Sequence, residues 1–166
     1  MAIINENLEK LAQRVGEVLK KRKYLLATAE SCTGGGIGQV LTAIPGSSLW
    51  YERGFITYSN LAKEELLGVS ATTLAIFGAV SDVTVMEMAN GALARSHAQV
   101  ALAVSGIAGP DGGSPDKPVG SVHFAWTRQN GPTRVIGHWF SGDRAAVRHQ
   151  SIVVALEGIL EMFVDY

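Results

Sequence analysis

Ser31 stands in the run Ala29-Glu30-Ser31-Cys32-Thr33-Gly34-Gly35-Gly36. A serine followed by small residues at a strand-to-helix turn exposes its hydroxyl beside backbone N–H groups that can hold an oxyanion or a phosphate. The same residues also suit a plain helix N-cap whose glycines only permit tight packing. The run is not Gly-x-Ser-x-Gly and lacks the lysine of a P-loop. A nucleophilic serine needs a base. His97, His123, His138 and His149 fall in separate elements with no triad spacing, so a lysine is the stronger candidate. With Asn60 as N-cap, Lys63 falls at the third helical position, where a capping box places Glu or Gln and the helix dipole disfavours a cation. That position and partial burial would both lower a lysine pKa. The alternative is an exposed Lys63 paired with Glu64 or Glu65. Tyr58, just before this helix, suits either a hydrogen bond into the same pocket or closure of the core.

Arg144 repeats the pattern if Ser141 caps the last helix, and it would then meet an anion there or pair with Asp143 or Asp111. Lys117 is a weaker anion candidate. Cys32 is a rival nucleophile, but without an adjacent histidine it reads better as a small packed residue. No Cys/His cluster exists, and Asp111 and Asp116 lack calcium-loop spacing, so no metal is expected.

The elements that must position these residues follow from periodicity. Leu8, Leu11, Val15, Val18 and Leu19 predict an amphipathic helix over about residues 5–22, with Lys20-Lys21-Arg22-Lys23 complementing its dipole. Tyr24 to Thr28 reads as a buried strand, followed by the Ser31 turn and a helix from about Thr33 to Ala43 that ends at Ile44-Pro45-Gly46. Gly54 to Tyr58 is the next strand, and a helix then runs to Leu67. Helices follow at Thr72 to Phe77 and Asp82 to Ser96, the latter capped by Ser81. Val100 to Val104 is a continuous apolar run suited to the middle of a sheet covered on both faces. A long Gly/Pro-rich loop spans Ser105 to Gly120. Ser121 to Arg128 and Arg134 to Phe140 read as a hairpin around Asn130-Gly131, and Asp143 to Phe163 as a long last helix. These elements predict an α/β fold: a three-layer α/β/α sandwich with a mixed, mainly parallel sheet, a C-terminal hairpin and a long helix. In such sheets ligands gather at the carboxyl ends of the strands, where the loops at Ser31, at Tyr58 to Lys63 and at Ser105 to Gly120 converge.

Composition narrows the function classes. The chain of 166 residues fits one domain, and 47% hydrophobic with 17% charged residues describes a globule apolar enough for a partner subunit to cover some of its surface. A homo-oligomer is therefore expected. A net charge of −1 argues against a nucleic-acid partner. The single cysteine excludes an intrachain disulfide, and Met1 to Asn7 lack the blocks of a secretory signal, so the cytoplasm is the expected compartment. No window approaches the roughly 20 apolar residues of a membrane-spanning helix.

Thr28 to Gly35, Gly54 to Asn60 with Lys63, Ser105 to Gly113, Lys117-Pro118-Val119-Gly120 and Phe140 to Arg144 together resemble the carboxy-terminal domain family of the competence-damage protein CinA. Stand-alone members of that family are nicotinamide-nucleotide amidases. The resemblance spans nearly the whole chain, with Ser105 standing where the family often has threonine. It implies hydrolysis of the carboxamide of nicotinamide mononucleotide to nicotinic acid mononucleotide and ammonia, a step of pyridine-nucleotide salvage that needs no added cofactor. It implies Ser31 as nucleophile and Lys63 and Tyr58 as further catalytic residues; together with the reading of the turn, loop and arginine above, it puts the substrate site at Cys32, Thr33, Gly34, Gly35, Ser105, Gly106, Gly109 and Arg144. The larger CinA proteins carry an additional amino-terminal domain, whose activity does not transfer. A non-catalytic nucleotide-binding domain, or an interaction domain tied to competence or DNA damage, is the alternative.

Overall fold

A computed structural model describes residues 6–164. One face of helix α1 (Glu6–Arg22) carries Leu8, Leu11, Ala12, Val15 and Leu19 at helical spacing, and all five are buried. Residue 5, expected to begin this helix, lies outside the described residues. The sheet contains β1 (Leu26–Glu30), β2 (Tyr51–Ile56), β3 (Val100–Gly106), β4 (Ser121–Arg128) and β5 (Arg134–Trp139), in the order β2-β1-β3-β4-β5. The β1–β2 and β1–β3 ladders are parallel, and β3–β4 and β4–β5 are antiparallel. Only β4 therefore runs against the other four strands, and the sheet is mixed as expected.

The two faces of the sheet differ in side-chain size. Leu26, Val100, Leu102, Val104, Val122, Phe124 and Trp126 point to one side and pack against α1, α2 (Gly36–Thr42) and α6 (Arg144–Glu161). Ala27, Ala29, Ala101, Ala103 and Ala125 point to the other, under α3 (Asn60–Leu67), α4 (Ala71–Phe77) and α5 (Asp82–Ala94). The alanines leave room for α5 to lie close to the sheet and bury Val85, Met88, Ala89 and Ala92 there. Helices α3 and α5 also approach closely, for a Cβ at Gly91 would stand 1.9 Å from the Leu67 carbonyl oxygen. This is the three-layer arrangement that alternating strands and helices predict. No helix among the described residues is long and apolar enough to cross a membrane.

Several boundaries shift for local reasons. β1 begins two residues later than expected and extends to Glu30, whose side chain is satisfied inside the protein. β2 begins earlier, because an edge strand tolerates Glu52 and Arg53. The cap of α3 is Ser59 and not Asn60: Ser59 is extended and its Oγ accepts from the Ala62 N–H at 3.0 Å, while Asn60 is already helical. Lys63 is thus the fourth residue of α3. Likewise Asp143, whose carboxylate is the stronger acceptor, caps α6 through the Ala146 N–H in place of Ser141, which makes Arg144 the first helical residue. Ser81 caps α5 as the sequence predicts.

Candidate active site

The parallel register sets Glu30 beside Ile56 on one side and Val104 on the other. The next residues, Thr57, Ser31 and Ser105, therefore form a row of hydroxyls across the carboxyl ends of β2, β1 and β3. Strand alternation places Ser31 on the alanine face, toward α3. Helix α3 returns from the end of β2 and directs Lys63 back over this row. Lys63 Nζ lies 3.0 Å from Ser31 Oγ and donates to the Thr57 carbonyl oxygen at 2.9 Å.

Lys63 is only 1% exposed. Among the described residues its amine touches no carboxylate, and burial holds its pKa below the ordinary 10.5. Burial, and not a place in the first helical turn, is the main cause of that shift. The expected alternative of a surface lysine paired with Glu64 or Glu65 is not what the fold provides. A neutral amine has two N–H donors and one lone pair. Nζ donates to both the Thr57 carbonyl and Ser31 Oγ, and a neutral amine at the same place could serve both with its two N–H groups or turn its lone pair to the Ser31 hydroxyl.

A cavity of about 260 Å³ opens in front of this pair, with Ser31, Cys32, Tyr58, Lys63, Ser105 and Arg144 in its wall. Gly106 at the end of β3 and Gly109 in the following loop also line it, whereas Thr33, Gly34 and Gly35 do not. The Gly34 N–H is spent on the Ser31 carbonyl at 3.0 Å, and Gly34 and Gly35 take positive φ angles of 59° and 100° to complete the turn. Ser105 Oγ and Thr57 Oγ1 are buried and make no hydrogen bond among the described residues. Larger hollows of about 420 and 510 Å³ lie around Trp126, Arg128 and Met162, but neither contains a serine, threonine or cysteine, so size does not select the site.

Tyr58 is 62% exposed at the mouth of the cavity, and its hydroxyl accepts from Arg144 Nη2 at 2.9 Å. It forms no bridge between Ser31 and Lys63, which meet directly. Arg144 Nη1 also donates to the Gly109 carbonyl at 2.8 Å, so this arginine joins the β2–α3 connection to the Gly/Pro-rich loop and pairs with neither Asp143 nor Asp111. Lys117 binds the Phe77 carbonyl at the end of α4 and does not itself line the cavity. Burial pushes the Cys32 thiol up to about 11, which leaves it protonated and a poor nucleophile at neutral pH. None of the four histidines lines the cavity; His123 bonds Asp82 at 2.7 Å.

Three residues of this region escape sequence reasoning. Glu30 is buried and accepts from Thr33 Oγ1 at 2.6 Å and from the Ile37 and Gly38 N–H groups at 2.8 and 3.1 Å. Arg148 donates to the Cys32 and Thr33 carbonyls at 3.2 and 3.1 Å. Thr57 supplies the carbonyl that orients Lys63. The available signals were a lone acid ending an apolar strand, and an arginine one helical turn beyond Arg144.

The comparisons with known proteins agree with this architecture. The sequence profile described as the CinA C-terminal domain matches residues 8–163. The nicotinamide-nucleotide amidohydrolase PncC of Escherichia coli K12 is 50% identical over 161 residues, covering 97% of this chain and 98% of that protein. The protein of the same name from Pseudomonas putida is 50% identical over 154 residues, covering 92% and 94%. The crystal structure of the competence/damage inducible protein CihA from Agrobacterium tumefaciens superposes with a TM-score of 0.94 at 44% identity, covering 98% of this chain and 99% of that one. Since the matched segments hold the serine turn, the lysine helix and the glycine-rich loop that build this cavity, the chain belongs to the CinA C-terminal domain family.

Proposed function

We propose that this protein hydrolyses the carboxamide of nicotinamide mononucleotide to nicotinic acid mononucleotide and ammonia, a step of pyridine-nucleotide salvage, with Ser31 as nucleophile and Lys63 as base. The observation that carries the reading is the 3.0 Å contact between Lys63 Nζ and Ser31 Oγ in a buried setting without a carboxylate partner. The names of the relatives that are half identical over nearly the whole chain support the amide substrate.

Neutral Lys63 takes the Ser31 proton as Oγ bonds to the amide carbon and the carbonyl π electrons move onto oxygen. The Ser31 carbonyl is turned inward to Gly34, so across the planar peptide the Cys32 N–H is turned outward, and it is the hole donor nearest Ser31. The Lys63 ammonium then protonates the departing nitrogen, the C–N bond breaks, and ammonia leaves an acyl-Ser31 ester. A water molecule, deprotonated by Lys63, cleaves that ester and restores Ser31. The unpartnered Ser105 hydroxyl contributes a further hydrogen bond to the substrate.

The nucleotide phosphate is assigned to Arg144, which keeps N–H donors beyond those given to Gly109 and Tyr58, and to the backbone of the loop around Gly106 and Gly109. The N-terminus of α2 is not offered to it, because Glu30 already accepts from that turn. In this reading residues 1–166 form one domain acting in the cytoplasm as a homo-oligomer, a state that light scattering on the purified protein would measure. Ammonia release should be followed with nicotinamide mononucleotide, nicotinamide riboside and free nicotinamide, using wild type and Ser31→Ala. Wild type should prefer the mononucleotide, and Ser31→Ala should lose about 10³-fold or more. Near-normal turnover by Ser31→Ala, or a preference for free nicotinamide, would overturn the proposal.

A further inference from the structure

The Ser31 turn is used on one face of the sheet and held on the other. Ser31 and Lys63 lie on the alanine face. By strand alternation Glu30 points to the opposite face, where α2 and α6 pack. There the Glu30 carboxylate, 2% exposed, gathers the Thr33 hydroxyl and the first-turn N–H groups of α2, with no cation within ion-pair distance among the described residues. Burying an unpaired carboxylate is costly, and a neutral N-cap would have closed the same helix at lower cost. Instead Gly35 occupies the N-cap position and makes no side-chain cap, so the carboxylate ties the turn to the helix.

Arg148 completes the hold from α6. Its Nε and Nη2 take the Cys32 and Thr33 carbonyls, which belong to the Cys32–Thr33 and Thr33–Gly34 peptides just beyond the Ser31 carbonyl that Gly34 holds. In a planar trans peptide the N–H points opposite to the C=O. Turning the Cys32 carbonyl toward α6 therefore turns the Thr33 N–H away from it, and neither the Cys32 nor the Thr33 N–H donates to a backbone carbonyl among the described residues. A cation on the carbonyl side also polarises each peptide and strengthens its N–H as a donor.

We propose that Glu30 and Arg148 are positioning residues: from the back of the sheet they fix the peptide planes of the Ser31–Thr33 turn so that its hydroxyl faces Lys63 and the Cys32 N–H faces the reacting oxygen. Neither touches substrate. The proposal rests on Ser31 as the nucleophile, and its test is kept separate from the identity of the amide.

The probe is a small fluorophosphonate, which labels an activated serine whatever its natural substrate: Ser31 Oγ bonds to phosphorus, Lys63 accepts the proton and fluoride departs. Labelling rates should be measured against pH for wild type, Glu30→Gln, Arg148→Lys and Arg148→Met, beside thermal melting and ammonia release. The clamp variants should label about 10- to 100-fold more slowly, because small misplacements at a reacting centre have effects of this order. Their pH inflection should stay where wild type has it, since Lys63 is untouched, and KM for the mononucleotide should change less than kcat. Arg148→Lys keeps the charge and loses the two-point grip, so it should fall on the slow side even where Arg148→Met fails to fold. Wild-type labelling rates in Glu30→Gln and Arg148→Lys would overturn the proposal, as would a shifted pH inflection in both. Absence of labelling in wild type would overturn it together with the nucleophile. Labelling without ammonia release would leave the clamp standing and refute only the amide substrate.

Discussion

Replacing Lys63 with methionine isolates the amine, because the side chain keeps its length and loses its nitrogen. Two acceptors, Ser31 Oγ and the Thr57 carbonyl, lose their partner inside the protein. Leaving such groups unsatisfied costs about 1–3 kcal/mol each. Against this, the variant is spared the cost of burying an amine that is protonated in the unfolded chain, a relief of the order of several kcal/mol. The two effects oppose each other, so stability at pH 7 should change by less than about 3 kcal/mol. Activity has no such compensation. Loss of a general base lowers the rate about 10²- to 10⁴-fold, equivalent to about 3–5 kcal/mol of transition-state stabilisation.

The pH dependence supplies an independent readout. Since burial holds the folded-state pKa of Lys63 below 10.5, the unfolded chain binds more protons than the folded one between the two values. Stability from this position therefore rises with pH through that window; the penalty is complete below the folded pKa and gone above the unfolded one. Urea unfolding of wild type and Lys63→Met at a series of pH values should show wild type gaining on the variant as pH increases. The wild-type rate should fall on the acid side as Lys63 protonates, and the residual rate of the variant should lack that limb. A variant within tenfold of wild type in kcat/KM, or a stability difference that does not change with pH, would refute the reasoning.

Arg144→Met should raise KM for nicotinamide mononucleotide about 10- to 100-fold, the worth of a charged hydrogen bond, with little change for the riboside, as steady-state ammonia assays would read; equal effects on both would remove the phosphate role. With its thiol pKa at about 11, Cys32 should resist iodoacetamide at neutral pH, and Cys32→Ala should keep activity within a few-fold. Rapid alkylation with loss of turnover would contradict this. Gly91→Ala would drive a Cβ to 1.9 Å from the Leu67 carbonyl, a backbone group that cannot swing aside. It should cost at least about 2 kcal/mol despite the better helix propensity of alanine, lowering Tm by about 4 °C or more; an unchanged or higher Tm would show that α3 and α5 can separate.

Much of the fold was legible because its signals are local. The spacing of Leu8, Leu11, Val15 and Leu19 is the buried stripe of α1, Ser81 is the cap of α5, and Val100 to Val104 is the interior of the central strand. The misplaced caps at Asn60 and Ser141 came from residues one or two positions away able to do the same work, between which only backbone conformation chooses. The site was legible in its ingredients, since a serine at a strand-to-helix turn and a lysine early in a helix both stand out. Tertiary structure decided what they face. Ser31 and Lys63 are 32 residues apart, and they meet because β2 and β1 are parallel neighbours and α3 folds back over their ends. Cys32 and Arg148 are 116 residues apart and meet across the opposite face of the sheet. Periodicity and capping are properties of a few consecutive residues, whereas strand order, burial and the lowered pKa of Lys63 exist only once distant segments have excluded water from between them.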